Sequence, residues 1–309
     1  MTGTGALAPR KAHLRVAVLI GVNLLGALAF LWPFVLPLAP GVNEDHRSDG
    51  PLILVTLLIC LGAVLFVELG RGGLGPKAVA LLGVLGAAMV ALRLPGFVAG
   101  FSAMFIIVLV GGNAFGPGFG FLLGAVGLFA SGLFVGGLGP WLPFEMVAAG
   151  WVGLGAGLLP GSSAGSSAGS SAGSSAKGSW RVRIGSLALY GFVTGYLYGA
   201  VMNLWSWPFL TSGSAVAWAP SAGPLVNLHH YVAFYMATSF VWDTFRAVGN
   251  AALVLILGRP LLGALDRAAR RMRLDVRGDM TESTAVVVEG AAHEHAAGDV
   301  GERGRVPTV

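Results

Sequence analysis

The chain has 309 residues, of which 55% are hydrophobic and only 11% charged, with a mean hydropathy of +0.78. A soluble domain usually carries about 25% charged residues, so this composition belongs to the membrane class. The single cysteine, Cys60, excludes an intramolecular disulfide, and a net charge of +5 does not by itself point to a nucleic-acid partner.

In chain order, Arg10, Lys11 and Arg15 precede or open an apolar run from Leu14 to Leu38. That run has the length of a full span rather than of a signal-peptide core, so it reads as the first transmembrane helix. Further spans are expected at Leu52–Leu69, Lys77–Leu92, Val98–Gly111, Phe119–Gly136, Leu142–Leu159, Ile184–Asn203 and Val232–Leu257. Val98–Gly111 is short and reads as a tilted span, a broken helix or a re-entrant segment. Charge decides for a crossing. With eight spans the basic residues Arg71, Lys77, Lys177, Arg181, Arg183 and the arginines after Leu257 all fall on the side of the N-terminus. With seven, the Lys177–Arg183 stretch and the basic tail would lie opposite, against the positive-inside rule.

Between Gly111 and Pro160, small residues recur four apart: Gly116, Gly120, Gly124; Gly132, Gly136; Gly153, Gly157. So much glycine would weaken helices in water. In lipid it lets helix backbones approach closely. Gly83, Ala87 and Ala91 repeat the spacing in the third span. Glu145 is a lone carboxylate near the start of the sixth, suited to a polar or cationic ligand group or to a solvated interfacial position. Trp141 beside it fits an interfacial aromatic belt.

Residues 161–176 are four copies of GSSA. Such a stretch has too little apolar surface to offset its ordering entropy, and it reads as a flexible linker. The segment Leu204–Tyr231 is the longest expected outer loop. Its Trp205, Trp207 and Trp218 offer flat apolar faces; Asn203, Asn227, His229 and His230 offer hydrogen-bonding groups. That mixture suits a pocket for a bulky planar ligand, and equally an interfacial belt. His229 and His230 are a weak metal pair, and no metal or cofactor is expected.

Asp243, Arg246 and Asn250 in SFVWDTFRAVGN are spaced i, i+3, i+7 on one helix face, with Asp243 expected near mid-membrane. A charge facing lipid there costs roughly 2.5–3.5 kcal/mol on insertion scales, so the face must turn inward or pair. It reads as an intrahelical pair that aids packing, or as a contact to substrate or a coupling subunit. Residues 259–279 form a basic amphipathic helix suited to an anionic membrane surface, and 280–309, polar and without sustained periodicity, read as a disordered tail.

The elements FGPGFGFLLGA, GGLGPWLPFEM and WVGLGAGLLP resemble the central signature of the substrate-binding S components of energy-coupling factor (ECF) transporters. The resemblance covers Pro76 to Gly258. It implies an all-α integral membrane protein: a six-helix core over 76–258, interrupted by the cytoplasmic linker 161–179. An N-terminal transmembrane hairpin over 14–75 is added after a cytoplasmic start at 1–13. It also implies a plasma-membrane location with both termini cytoplasmic, and uptake of a water-soluble vitamin, cobalamin-like by preference. The implied partners are a transmembrane scaffold subunit and two ABC ATPases. Substrate contact is expected at Glu145, Trp141, Asn203, Trp205, Trp207, Trp218, His229 and His230. Coupling is expected at Asp243, Arg246 and Asn250, and scaffold docking at Gly83, Ala87 and Ala91.

No G-x-x-x-x-G-K-[ST] and no H-E-x-x-H occurs, so neither a Walker loop nor that metalloprotease signature is present. The chain is not expected to be an enzyme. The rival readings are a self-sufficient secondary transporter, which would need an internal inverted repeat and midplane ion sites, and a membrane-embedded lipid-modifying enzyme, which would need a catalytic constellation.

Overall fold

The computed structural model describes residues 7–35, 55, 56, 59, 62, 76–94, 102–135, 137–161, 176–210, 214–219 and 221–302. Eight α-helices and no strand occur among them: α1 Leu7–Val35, α2 Pro76–Arg93, α3 Phe105–Phe115, α4 Pro117–Val135, α5 Leu142–Leu158, α6 Ala176–Leu210, α7 Gly223–Thr238 and α8 Phe240–Glu302. Two compact units are defined, Met1–Asp266 and Arg267–Val309. The second is helical over residues 267–302, where the polar sequence beyond Met280 was expected to be without regular structure. Most of the second expected span, Leu52–Leu69, and residues 162–175 of the GSSA repeat lie outside the described residues.

Among the described residues, four helical segments are long and apolar enough to cross a membrane: Pro76–Arg93, Pro117–Val135, Trp180–Pro208 and Phe240–Met272. Ala17–Leu31, Phe105–Phe115 and Leu142–Leu158 are shorter apolar helices. Large apolar side chains are turned outward on several of them: Val84, Phe134, Leu189 and Ile256 are each more than 60% exposed. Such a surface is at home in lipid rather than in water.

The centre of the first unit is the trio α3, α4 and α5. Val108, Leu109, Leu122, Leu123, Leu128 and Leu142 are fully buried there. The helices α4 and α5 run antiparallel because their glycines face one another in register. A Cβ on Gly120 would overlap the carbonyl of Gly153, and one on Gly153 would overlap that of Gly120. Gly124 abuts Ala149, Gly157 abuts Pro117, and a Cβ on Gly132 would lie 3.0 Å from Leu142 Cδ1. This is the close backbone approach that four-residue small spacing allows. Gly116, at φ 95°, makes the turn between α3 and α4. The N-terminal helix leans on α5: Phe30 meets Phe144 edge-on at 5.1 Å between ring centroids, and Gly26 faces Val147.

A second glycine ladder joins α6 to α8. Gly191, Gly195 and Gly199 lie four apart on α6 and face Asn250, Ala247 and Asp243 on α8; a Cβ on Gly195 would sit 2.5 Å from Ala247 Cα.

Two expectations are corrected here. The segment Leu204–Tyr231 is not one long loop: α6 continues through Trp205 and Trp207 to Leu210, and α7 begins at Gly223. Pro224 in the first turn of α7 fits its lack of an N–H. Asn227 fastens the preceding chain, donating to Ala219 O at 2.8 Å and accepting from Ala219 N at 2.9 Å. Second, Val232–Leu257 is not one continuous span, because the helix breaks at Ser239. Ser239 Oγ accepts from Asn203 Nδ2 of α6 at 2.6 Å, which ties the break to the neighbouring helix.

Candidate functional site

Polar side chains gather at both ends of the first unit. At the end holding the α4–α5 turn, Arg93 closes α2 and Glu145 lies in the first turn of α5. Arg93 Nη2 approaches the Glu145 carboxylate at 3.4 and 3.5 Å, and Nη1 donates to Ser131 Oγ of α4 at 3.3 Å. The side chains are 22% and 17% exposed. In the sequence Glu145 reads as a lone carboxylate, and Arg93 lies 52 residues away. They are partners, brought together by the packing of α2, α4 and α5.

Beside them stands a tighter constellation. Asp243 pairs with Arg246 one turn further along α8 and accepts from Tyr235 Oη of α7 at 2.9 Å. Arg246 also donates to Gly195 O at 3.4 Å and lies over the Tyr198 ring at 5.1 Å. Asn250 donates to Gly191 O at 3.3 Å, while its Oδ1 is buried without a partner. The three residues therefore share one face, as their spacing predicts, and that face is received by the glycine ladder of α6. Only glycine at 199 leaves room for the Asp243 carboxylate. Asp243 sits in the first turn of α8, at the end of the helix and not at its middle. The cause is the break at Ser239.

The tryptophans are distributed rather than pooled. Trp205 stacks on Phe144 at 4.7 Å with an interplanar angle of 2°. Trp207 is buried, donates from Nε1 to Val216 O at 2.8 Å, and packs edge-on against Trp218 and Tyr231 at 5.6 and 5.2 Å. Trp218 meets Phe34 of α1 at 4.9 Å. Trp141 is 42% exposed and covers Gly139, as an interfacial aromatic would. His229 and His230 lie on α7, not on a loop. His229 is exposed, and His230 Nδ1 lies 2.9 Å from Ala217 O. Among the described residues no group of three or more His, Cys, Asp or Glu is placed to hold a metal ion.

Sequence reasoning missed the constellation at the opposite end. Arg183 of α6 is buried and holds Asp266 with two bonds of 2.7 and 3.1 Å. Its Nε donates to Asn113 Oδ1 of α3 at 2.7 Å, and Asn113 donates to Ala156 O of α5 at 3.1 Å. Trp180 covers the guanidinium at 5.3 Å. One arginine thus joins α3, α5, α6 and α8. The available signals were a lone Asn inside an apolar run and a lone Asp in a stretch of arginines.

Gly83, Ala87 and Ala91 form an exposed stripe on α2, while Leu82, Leu85, Gly86 and Met89 face inward. No protein-family model, curated protein or solved structure matches the chain.

Proposed function

We propose that this chain is the solute-capturing membrane subunit of an ECF-type importer, taking a small water-soluble vitamin from outside the cell. One observation carries the reading. At the α4–α5 end, the Arg93–Glu145 pair lies next in sequence to the Phe144–Trp205 stack on the glycine-packed trio, and Asn203, two residues before Trp205 on α6, bonds Ser239. Rigid walls with a few placed polar groups and flat apolar faces are what a small-molecule site requires. The resemblance of FGPGFGFLLGA and GGLGPWLPFEM to the S-component signature supplies the rest. In this reading eight spans cross the plasma membrane, both termini are cytoplasmic, and the α4–α5 end faces outward. A cobalamin-like ligand is preferred because Trp205, Trp207 and Trp218 suit a bulky planar solute.

Solute binds at the outer end, the segment between α6 and α8 closes over it, and the subunit reorients while partner ATPases hydrolyse ATP. The outward-facing Gly83, Ala87 and Ala91 form the scaffold-docking face. Ala87→Trp is expected to weaken co-purification with the scaffold without lowering the unfolding temperature, since Ala87 is exposed. The reading is tested by purifying the chain alone and screening vitamins by thermal shift. Saturable stabilisation without any ATPase supports it.

The buried Asp243–Arg246 pair favours a second reading, a self-sufficient secondary transporter, because intramembrane carboxylates serve as proton relays. Ion-driven uptake into liposomes containing only this chain would establish that alternative.

A further inference from the structure

The basic stretch after Gly258 takes no part in the solute-capture reading, and its charges are arranged rather than scattered. From Thr244 to Met272 the only acidic residue is Asp266, which is buried and bound by Arg183 of α6. In the second unit Arg267, Arg270 and Arg271 are exposed, while Ala269 is buried and Ala268 and Met272 are half-buried. The three arginines are spaced i, i+3, i+4 on a helix, so they share one side, with neighbours about 5–6 Å apart at Cβ. Like charges at that spacing oppose the helix that carries them. A signal that only fixed topology would need positive charge in the flanking segment, not charge gathered on one side. An anionic surface laid across all three would turn their mutual repulsion into attraction.

The chain itself says which anion is at hand. On α8 within the first unit, Phe245, Val248, Leu255 and Ile256 are exposed, an apolar surface suited to lipid. From Phe240 to Arg259 the helix runs about 20 residues, or about 30 Å, the thickness of a hydrocarbon core. Arg259, exposed, stands at the end of that length. The chain stays helical from there to Arg267, a reach of about 12 Å. Whatever angle the second unit takes, its first arginine is held that close to the end of the apolar run. Phospholipid headgroups are the anions concentrated there, and basic side chains next to a span are drawn to them. The planar guanidinium fork matches phosphate oxygens.

We propose that Arg267, Arg270 and Arg271 form a docking face for anionic phospholipid headgroups, which pins the start of the second unit to the membrane surface. An acidic soluble protein is the competing occupant; the short tether to the bilayer favours lipid, because it gives the headgroups a high effective concentration. The proposal holds under either transport reading above.

The test uses the full chain purified in neutral detergent, offered phosphatidylglycerol or phosphatidylcholine at equal mole fraction, with bound lipid counted by native mass spectrometry. The wild type is expected to retain phosphatidylglycerol at least about fivefold better, the scale of one basic residue near an anionic surface. Replacing all three arginines by Gln should bring the ratio to about one. Replacing all three by Lys should keep most of the preference, because the charge remains. Arg181→Gln, at an exposed arginine of α6 outside the cluster, should leave the ratio unchanged. If the triple Gln variant fails to fold, Arg270→Gln alone takes its place and should lower the ratio severalfold. No headgroup preference in the wild type, a preference that survives the Gln substitutions, or an equal loss in Arg181→Gln overturns the inference. So does an acidic protein that co-purifies with the wild type, leaves with the Gln substitutions and is accompanied by no headgroup preference.

Discussion

At the residue scale, the closed ion pairs are joints. Removing one partner leaves the other charge buried, which typically costs about 3–5 kcal/mol, whereas replacing both with apolar groups of similar volume is often neutral. Asp243→Ala is therefore expected to lower the detergent-solubilised protein's unfolding temperature sharply, and Asp243→Leu with Arg246→Leu to recover most of the loss. An equal loss in the double variant would mean that the pair stabilises beyond its own desolvation. Arg183→Met and Asp266→Leu should behave in the same way at the other end. The difference in legibility between these joints is instructive. Asp243 and Arg246 are three residues apart on one helix, so their meeting follows from helix geometry. Arg93 and Glu145 are 52 residues apart, and Arg183 and Asp266 are 83 apart. Their meeting depends on the register of packed helices, which local spacing does not encode.

At the element scale, glycine spacing was the most informative feature of the chain. The α4–α5 ladder was readable as a close-packing face. The α6 ladder of Gly191, Gly195 and Gly199 has the same spacing, yet its partner is the polar face of α8 rather than another small-residue helix. Gly195→Val and Gly153→Val are each expected to destabilise by about 1–3 kcal/mol, the usual scale of overpacking, because their Cβ positions meet backbone. Gly83→Val, with nothing within 4 Å, should leave unfolding unchanged. Comparable loss at all three positions would contradict the ladders. The break between α7 and α8 was not legible. VAFYMATSFVWDT is largely apolar and lacks Pro and Gly, and the Thr238-Ser239 pair alone is a weak stop signal. It is Asn203, from another helix, that meets the chain at Ser239. The helical start at Gly223 was better signposted by Gly-Pro, but the tryptophan-rich composition around it suggested a loop.

At the scale of the whole molecule, the two polar constellations lie at opposite ends of the glycine-packed helices. Asn113, Arg183 and Asp266 join one end; Arg93, Ser131 and Glu145 join the other. The eight-span proposal assigns the first to the cytoplasm with the GSSA repeat, and the second to the outside with His229. In a Cys60→Ser background, His229→Cys should react with a membrane-impermeant maleimide in intact cells, and Ser167→Cys only after permeabilisation. Labelling of both from one side would refute the topology.

The most direct test of the central proposal is purification of the tagged full-length chain from its own membranes in mild detergent, with identification of what accompanies it. The account predicts a transmembrane scaffold and two ABC ATPases in stoichiometric amounts, with ATP hydrolysis by the purified complex. A chain that purifies alone and drives ion-coupled solute uptake by itself would contradict it.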